Sequence, residues 1–128
     1  MIRIYQNKKD NCFAACVCSI LNLSVWDLDR MPQHTKPGWF VPFKKHMRQN
    51  YGFDMICVRM SSKEVEKEFE LLPDVLCIMT GDSPYTKDCS HSVVGRYGKL
   101  VFDPKPEGKG ILGECWEWEY CFLVKIFD

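Results

Sequence analysis

The stretch "HSVVGRYGKLVFDP", His91 to Pro104, constrains the fold more than any other part of this chain. Two short β-forming runs, Ser92-Val93-Val94 and Leu100-Val101-Phe102, flank Tyr97-Gly98, a pair suited to a tight turn. A β-hairpin is therefore predicted. It opens on a histidine and closes on an aspartate followed by proline. Strand pairing requires neither residue at those ends, whereas a catalytic dyad requires both.

The other segments supply helices and further strands. "IRIY" at 2–5 alternates apolar and polar and predicts a short edge strand. "QNKKDN" is a polar turn that ends in the cap-type residues Asp10 and Asn11. From Cys12 to about Leu23, apolar positions 13, 16, 17, 20, 21 and 23 fit a buried helix. "SVWDLD" predicts a short helix capped by Ser24, and residues 31–42, with three prolines and a glycine, predict a loop. "FKKHMRQNYG" reads as a helix stopped by Gly52, followed by the strand "DMICVRM". "SSKEVEKEFELL" reads as an amphipathic helix with Val65, Phe69 and Leu72 on one face. "DVLCIMT" is a buried strand, "GDSPYTKDCS" a polar loop, and "EWEYCFLVKIF" a long final strand. Helices come first and mainly antiparallel strands follow, so the expected class is α+β, as one domain over residues 1–128.

Composition narrows the class of function. Hydrophobic residues make up 46% and charged residues 27%, the balance of a globular chain. Lys plus Arg and Asp plus Glu total 17 each. That neutrality argues against a dedicated nucleic-acid binder, which needs excess basic residues to neutralise phosphates. The run from Cys12 to Leu23 is too short to span a bilayer, so no membrane partner is expected. Lys8, Lys9 and Asp10 interrupt the start before any apolar run, so no cleavable signal peptide is expected. The eight cysteines include Cys57, Cys77 and Cys121 inside apolar runs, where they read as small buried hydrophobes. A cytoplasmic protein with reduced thiols follows as the expectation.

Four residues at element boundaries form a candidate site. Cys12 opens a helix, where unpaired N–H groups favour the thiolate and are expected to lower its pKa. Gln6 lies six residues upstream, and its NH₂, with the Cys12 backbone N–H, can donate to an oxyanion. His91 begins a strand and can serve as base and then acid. Asp103 ends the partner strand, where it can hydrogen bond the second His91 nitrogen.

"QNKKDNCFAACVCSILNL" followed by "HSVVGRYGKLVFDP" resembles the small papain-like cysteine peptidases. The likeness is nearest to the bacteriocin-processing (double-glycine) peptidase-like branch and to short papain-fold proteins of bacteria and bacteriophages. It covers residues 6–23 and 91–108. It implies a papain-like fold and a thiol enzyme that cleaves an amide or isopeptide bond in a protein or peptide. Cys12 would be the nucleophile, Gln6 the oxyanion donor, His91 the base and Asp103 the orienting acid, with no cofactor and no metal. One departure is visible: Phe13 follows the cysteine, where that branch often has glycine.

Other readings use the same residues. Acyl transfer to an amine needs no change to the triad. A phage-encoded binding or inhibitory module would keep the fold and block a host protein. Zinc would draw on Cys12, Cys16, Cys18, Cys89 and His91, but only Cys12 and Cys16 have ligand-pair spacing.

Overall fold

A computed structural model describes residues 1–32, 37–59 and 74–126. The helix expected at 61–72 lies outside them. Cys12–Ile20 form α1, in which every residue from Cys12 to Ser19 is buried. A helix apolar all round must be enclosed by the rest of the fold, and α1 is its central element. It stops short of Leu23 because Asn22 takes a left-handed conformation (φ 56). The Leu23 N–H then closes onto the Cys18 carbonyl at 2.8 Å, which satisfies an end carbonyl of the helix.

Val25–Arg30 form α2, with Ser24 and Asp27 making a reciprocal capping box. Phe40–Tyr51 form α3, which Gly52 ends at φ 71 as the sequence predicts. This helix begins inside the expected loop. Pro42 falls in its first turn, where no N–H is needed for an intrahelical bond. The Tyr51 hydroxyl donates to Asp27 at 2.7 Å and ties α3 to α2.

The sheet contains β1 (Phe53–Arg59), β2 (Cys77–Asp82), β3 (Ser90–Arg96), β4 (Lys99–Phe102) and β5 (Glu119–Lys125), in spatial order β1-β5-β2-β3-β4. All of these neighbours pair antiparallel, which gives an α+β domain with a helix packed on a five-stranded sheet. Ile78, Val94, Phe102, Cys121 and Met55 face α1 and share its core with Leu28, Phe43 and Met47. Cys77, Met79, Val93 and Tyr120 form a smaller core on the opposite face, so alternate residues of each strand serve different layers. The expected final strand is shortened because Cys115–Glu117 instead make one turn of 3₁₀ helix.

"IRIY" joins no strand ladder, contrary to the sequence reading. Its backbone is held by α1 instead: Ile2 N–H donates to the Ser19 carbonyl at 3.2 Å and Ile4 N–H to the Ser19 hydroxyl at 3.0 Å. Gln6 N–H then donates to the Pro104 carbonyl at 3.0 Å, which pins the arm beside the exit of the hairpin.

The hairpin is present with Tyr97 and Gly98 at its turn, both at positive φ (53 and 70). That is the twist a two-residue hairpin prefers. Arg96 pairs with Lys99 and Gly95 with Leu100, but Val94 pairs with Phe102, so Val101 is an extra residue on β4. The bulge sets the faces. The shifted register sets Phe102 opposite Val94, in the core against α1; an unshifted one would set it opposite Val93, in the smaller core on the other face, and would displace Asp103 after it. Deleting Val101 is expected to destabilise the fold by roughly 3 kcal/mol, because Phe102 leaves its core and Asp103 is displaced with it. Val101→Ala should cost well under 1 kcal/mol, since a partly exposed side chain is trimmed and the register stays. Thermal unfolding of the two variants side by side checks this.

Candidate active site

His91 and Asp103 are brought together as the hairpin predicts. His91 Nε2 lies 2.8 Å from Asp103 Oδ1, with only 5% and 2% of the two side chains exposed. Asp103 is the hub of the site. Its Oδ1 also accepts from the Lys105 N–H at 2.9 Å. Its Oδ2 accepts from the Tyr85 hydroxyl at 2.7 Å and the Gly110 N–H at 2.8 Å. Burial pushes this carboxyl up, but the bonds from His91, Lys105, Tyr85 and Gly110 outweigh it and hold it below the usual 3.8. An ionised carboxylate only accepts, so the His91 proton sits on Nε2 and Nδ1 carries the lone pair of the neutral ring.

Tyr85 was not legible as a site residue. It lies in the polar loop "GDSPYTKDCS", where a lone aromatic is the only signal. Its ring packs edge-on against His91, with centroids 5.0 Å apart and planes at 77°. Burial and the bond to Asp103 push its hydroxyl up to about 12.

Cys12 opens α1 as expected, but its pKa moves the other way from the sequence expectation. Burial raises the thiol above its usual 9.0. Hydrogen bonds from the backbone and side chain of Ser92 and from the Phe13 and Cys12 backbone pull it down without offsetting burial. A helix terminus favours a thiolate only by partial charges, and desolvating the anion costs more. Asn11 is the N-cap residue, yet its side chain makes no cap hydrogen bond to the helix. It turns back into the preceding loop, accepting from Lys8 N–H at 3.1 Å and donating to Asn7 at 2.6 Å. Ser92 likewise carries no local sequence signal for the site; its hydroxyl lies 2.8 Å from that of Thr80, directly across the β2–β3 pair.

Gln6, Cys12 and His91 line one cavity of about 200 Å³, together with Tyr85 and Lys105. Asp103 is bonded to three of these lining residues, His91, Tyr85 and Lys105. A second cavity, of about 300 Å³, also reaches Cys12 and is walled by Phe13, Trp39, Gly81 and Trp118. Cys12 therefore stands where two hollows meet. The Gln6 amide is turned differently from the expected oxyanion donor. Nε2 donates to the Lys8 carbonyl at 3.0 Å and lies 3.5 Å from that of Lys9, while Oε1 is buried without a hydrogen bond. The nearby loop carbonyls attract the NH₂ and draw it away from the oxyanion role.

Among the described residues no three His, Cys, Asp or Glu side chains gather as a metal site. Cys16 and Cys18 are buried within α1, while Cys89 is exposed. No helix among the described residues is long and apolar enough to cross a membrane. No family model, curated protein or solved structure matches this chain.

The Asp103 shift fixes the sign of one pH dependence. Its folded pKa lies below the usual 3.8, so its contribution to stability is complete above that pH and disappears as pH falls through the lower folded value. Asp103→Asn is expected to cost about 3 kcal/mol at pH 7. Denaturant titrations should show the gap from wild type closing in acid, below pH 3.8. Iodoacetamide provides a check on Cys12. Because the folded thiol titrates above 9.0, its alkylation should still be climbing past that pH, and burial should make it slower to react than the exposed Cys89. Peptide mass spectrometry resolves the two adducts.

Proposed function

We propose that the protein is a papain-like thiol enzyme that acts on an amide or isopeptide bond of a protein or peptide. The observation that carries this reading is the 2.8 Å pair of His91 with a buried, ionised Asp103, whose histidine shares a cavity with Cys12. A buried His–Asp pair held by three further donors offers little to packing that apolar residues would not do better. It does orient an imidazole with one nitrogen left basic.

In this reading His91 Nδ1 takes the Cys12 proton as the sulfur attacks the carbonyl carbon. The thiol's raised pKa makes the base essential, because no ready thiolate stands in the resting site. The oxyanion forms beside the Cys12 backbone N–H, with the Gln6 NH₂ as second donor once it turns from the Lys8 carbonyl. The C–N bond breaks, the His91 imidazolium returns its proton to the leaving amine, and a thioester remains on Cys12. Water, deprotonated by His91, releases the acid and restores the thiol; an amine in place of water makes the same site an acyltransferase. Phe13 supports a substrate other than a Gly-Gly junction. Its ring packs against Trp39 at 5.0 Å and Phe43 at 5.3 Å, and it forms a bulky wall of the larger cavity next to the nucleophile.

The burial of Cys12 and the engagement of the Gln6 amide by the Lys8 carbonyl also favour a second reading, a papain-fold module that binds a protein without turnover. An activated ester such as p-nitrophenyl acetate separates the two. The enzyme reading expects a burst of nitrophenol with an acyl group on Cys12, absent in Cys12→Ala and slowed about 10²-fold or more in His91→Ala. A burst of equal size and rate in all three proteins would sink the enzyme reading.

A further inference from the structure

We propose that Tyr85 is a positioning residue of this site, clamping the second oxygen of Asp103 and fixing the His91 ring in one tautomer and orientation. This role rests on the proposed thiol chemistry only for its purpose; the geometry stands apart from it.

The direction of each bond around Tyr85 is determined. The Lys109 N–H donates to the Tyr85 hydroxyl at 2.7 Å, so that oxygen is already an acceptor. Its own hydrogen then goes to Asp103 Oδ2, 2.7 Å away, since an ionised carboxylate offers no proton. One hydroxyl thus joins the loop before β3 to the loop after β4. Each loop is fixed independently. Ser83 accepts from the Tyr85 and Thr86 N–H groups at 3.0 and 3.1 Å, and Ser83 N–H donates to the Cys89 carbonyl at 2.8 Å. On the other side Gly110, at φ 74, presents its N–H to the same carboxylate oxygen at 2.8 Å. With Oδ2 held by Tyr85 and Gly110, Oδ1 is the oxygen left to His91. The Tyr85 ring packs edge-on at 77° against the His91 ring, a contact that a flip exchanging Nε2 and Nδ1 would have to break.

Removing the hydroxyl has a sign. Asp103 loses one of four donors, its charge is less dispersed, and it pulls harder on the Nε2 proton. The imidazolium of His91 gains, and the ring becomes more basic. The other titratable groups lining the same cavity are Lys9, Asp10, Cys12, Cys89 and Lys105, while Lys109 stands 5.5 Å over the Tyr85 ring. Tyr85→Phe leaves all of them in place and keeps the ring packing.

The test follows the His91 ring by NMR through a pH titration of the full chain. Tyr85→Phe is expected to raise the His91 midpoint by about half a pH unit or more. Installing a fluorinated tyrosine at position 85, a stronger donor, should lower it. The fluorinated variant also keeps the test open should the phenylalanine variant fail to fold. Unchanged midpoints in the variants that fold, within about 0.2 units, overturn the proposal and leave Tyr85 as packing alone. The acyl burst on Cys12 is read in parallel. A shifted His91 titration with no His91-dependent burst upholds Tyr85 as the clamp and defeats the enzyme reading. A His91-dependent burst with an unmoved titration does the reverse.

Discussion

The buried carboxylate of Asp103 is the constraint around which the site is organised. With 2% of its side chain exposed, it retains charge only because His91, Tyr85, Lys105 and Gly110 all donate to it. An unpaired carboxylate at that depth would cost several kcal/mol and would protonate instead. Its four donors come from β3, from the loop before β3 and from the loop after β4. The charge therefore dictates the relative placement of three segments that share no ladder beyond the hairpin. The bulge at Val101 belongs to the same exit of the hairpin, because it decides which face of the sheet receives Phe102, the residue before the aspartate.

α1 imposes the complementary constraint. A helix buried from Cys12 to Ser19 must have the sheet on one side and α2, α3 and the N-terminal arm around the rest. Ser19 shows how the polar part of that enclosure is solved. Its hydroxyl lies 2.8 Å from the Ala15 carbonyl and accepts from Ile4 N–H at 3.0 Å, so a polar atom inside the helix core also fastens the arm. The arm carries Gln6 to Pro104, and the helix N-terminus carries Cys12 to Ser92, the residue after His91. The placement of Cys12 in the cavity that His91 lines is thus a result of core packing.

The elements whose signals are local were legible in the sequence. Ser24 caps α2, Gly52 ends α3, and Tyr97-Gly98 turns the hairpin, each because a short-range steric or hydrogen-bonding preference determines it. The contact between His91 and Asp103 was legible too, since a tight hairpin brings its two ends together whatever surrounds it. "IRIY" shows where such reasoning stops. Its alternating pattern suits a strand, yet its partners are Ser19 and Pro104, which lie far away in sequence.

The sequence by itself determined the helix at Cys12, the hairpin with His and Asp at its ends, and the α+β class, because periodicity, turn chemistry and capping act within a few residues. Only the tertiary structure decided the state of the chemistry. It buried Cys12 deeply enough to raise its thiol above 9.0, turned the Gln6 amide toward the Lys8 carbonyl, and brought Tyr85 onto Asp103. Desolvation and the completion of a carboxylate's hydrogen bonds depend on atoms distant in the chain. They reverse what a local reading of a helix N-terminus implies, since the cost of burying an anion exceeds what partial charges at one helix end return.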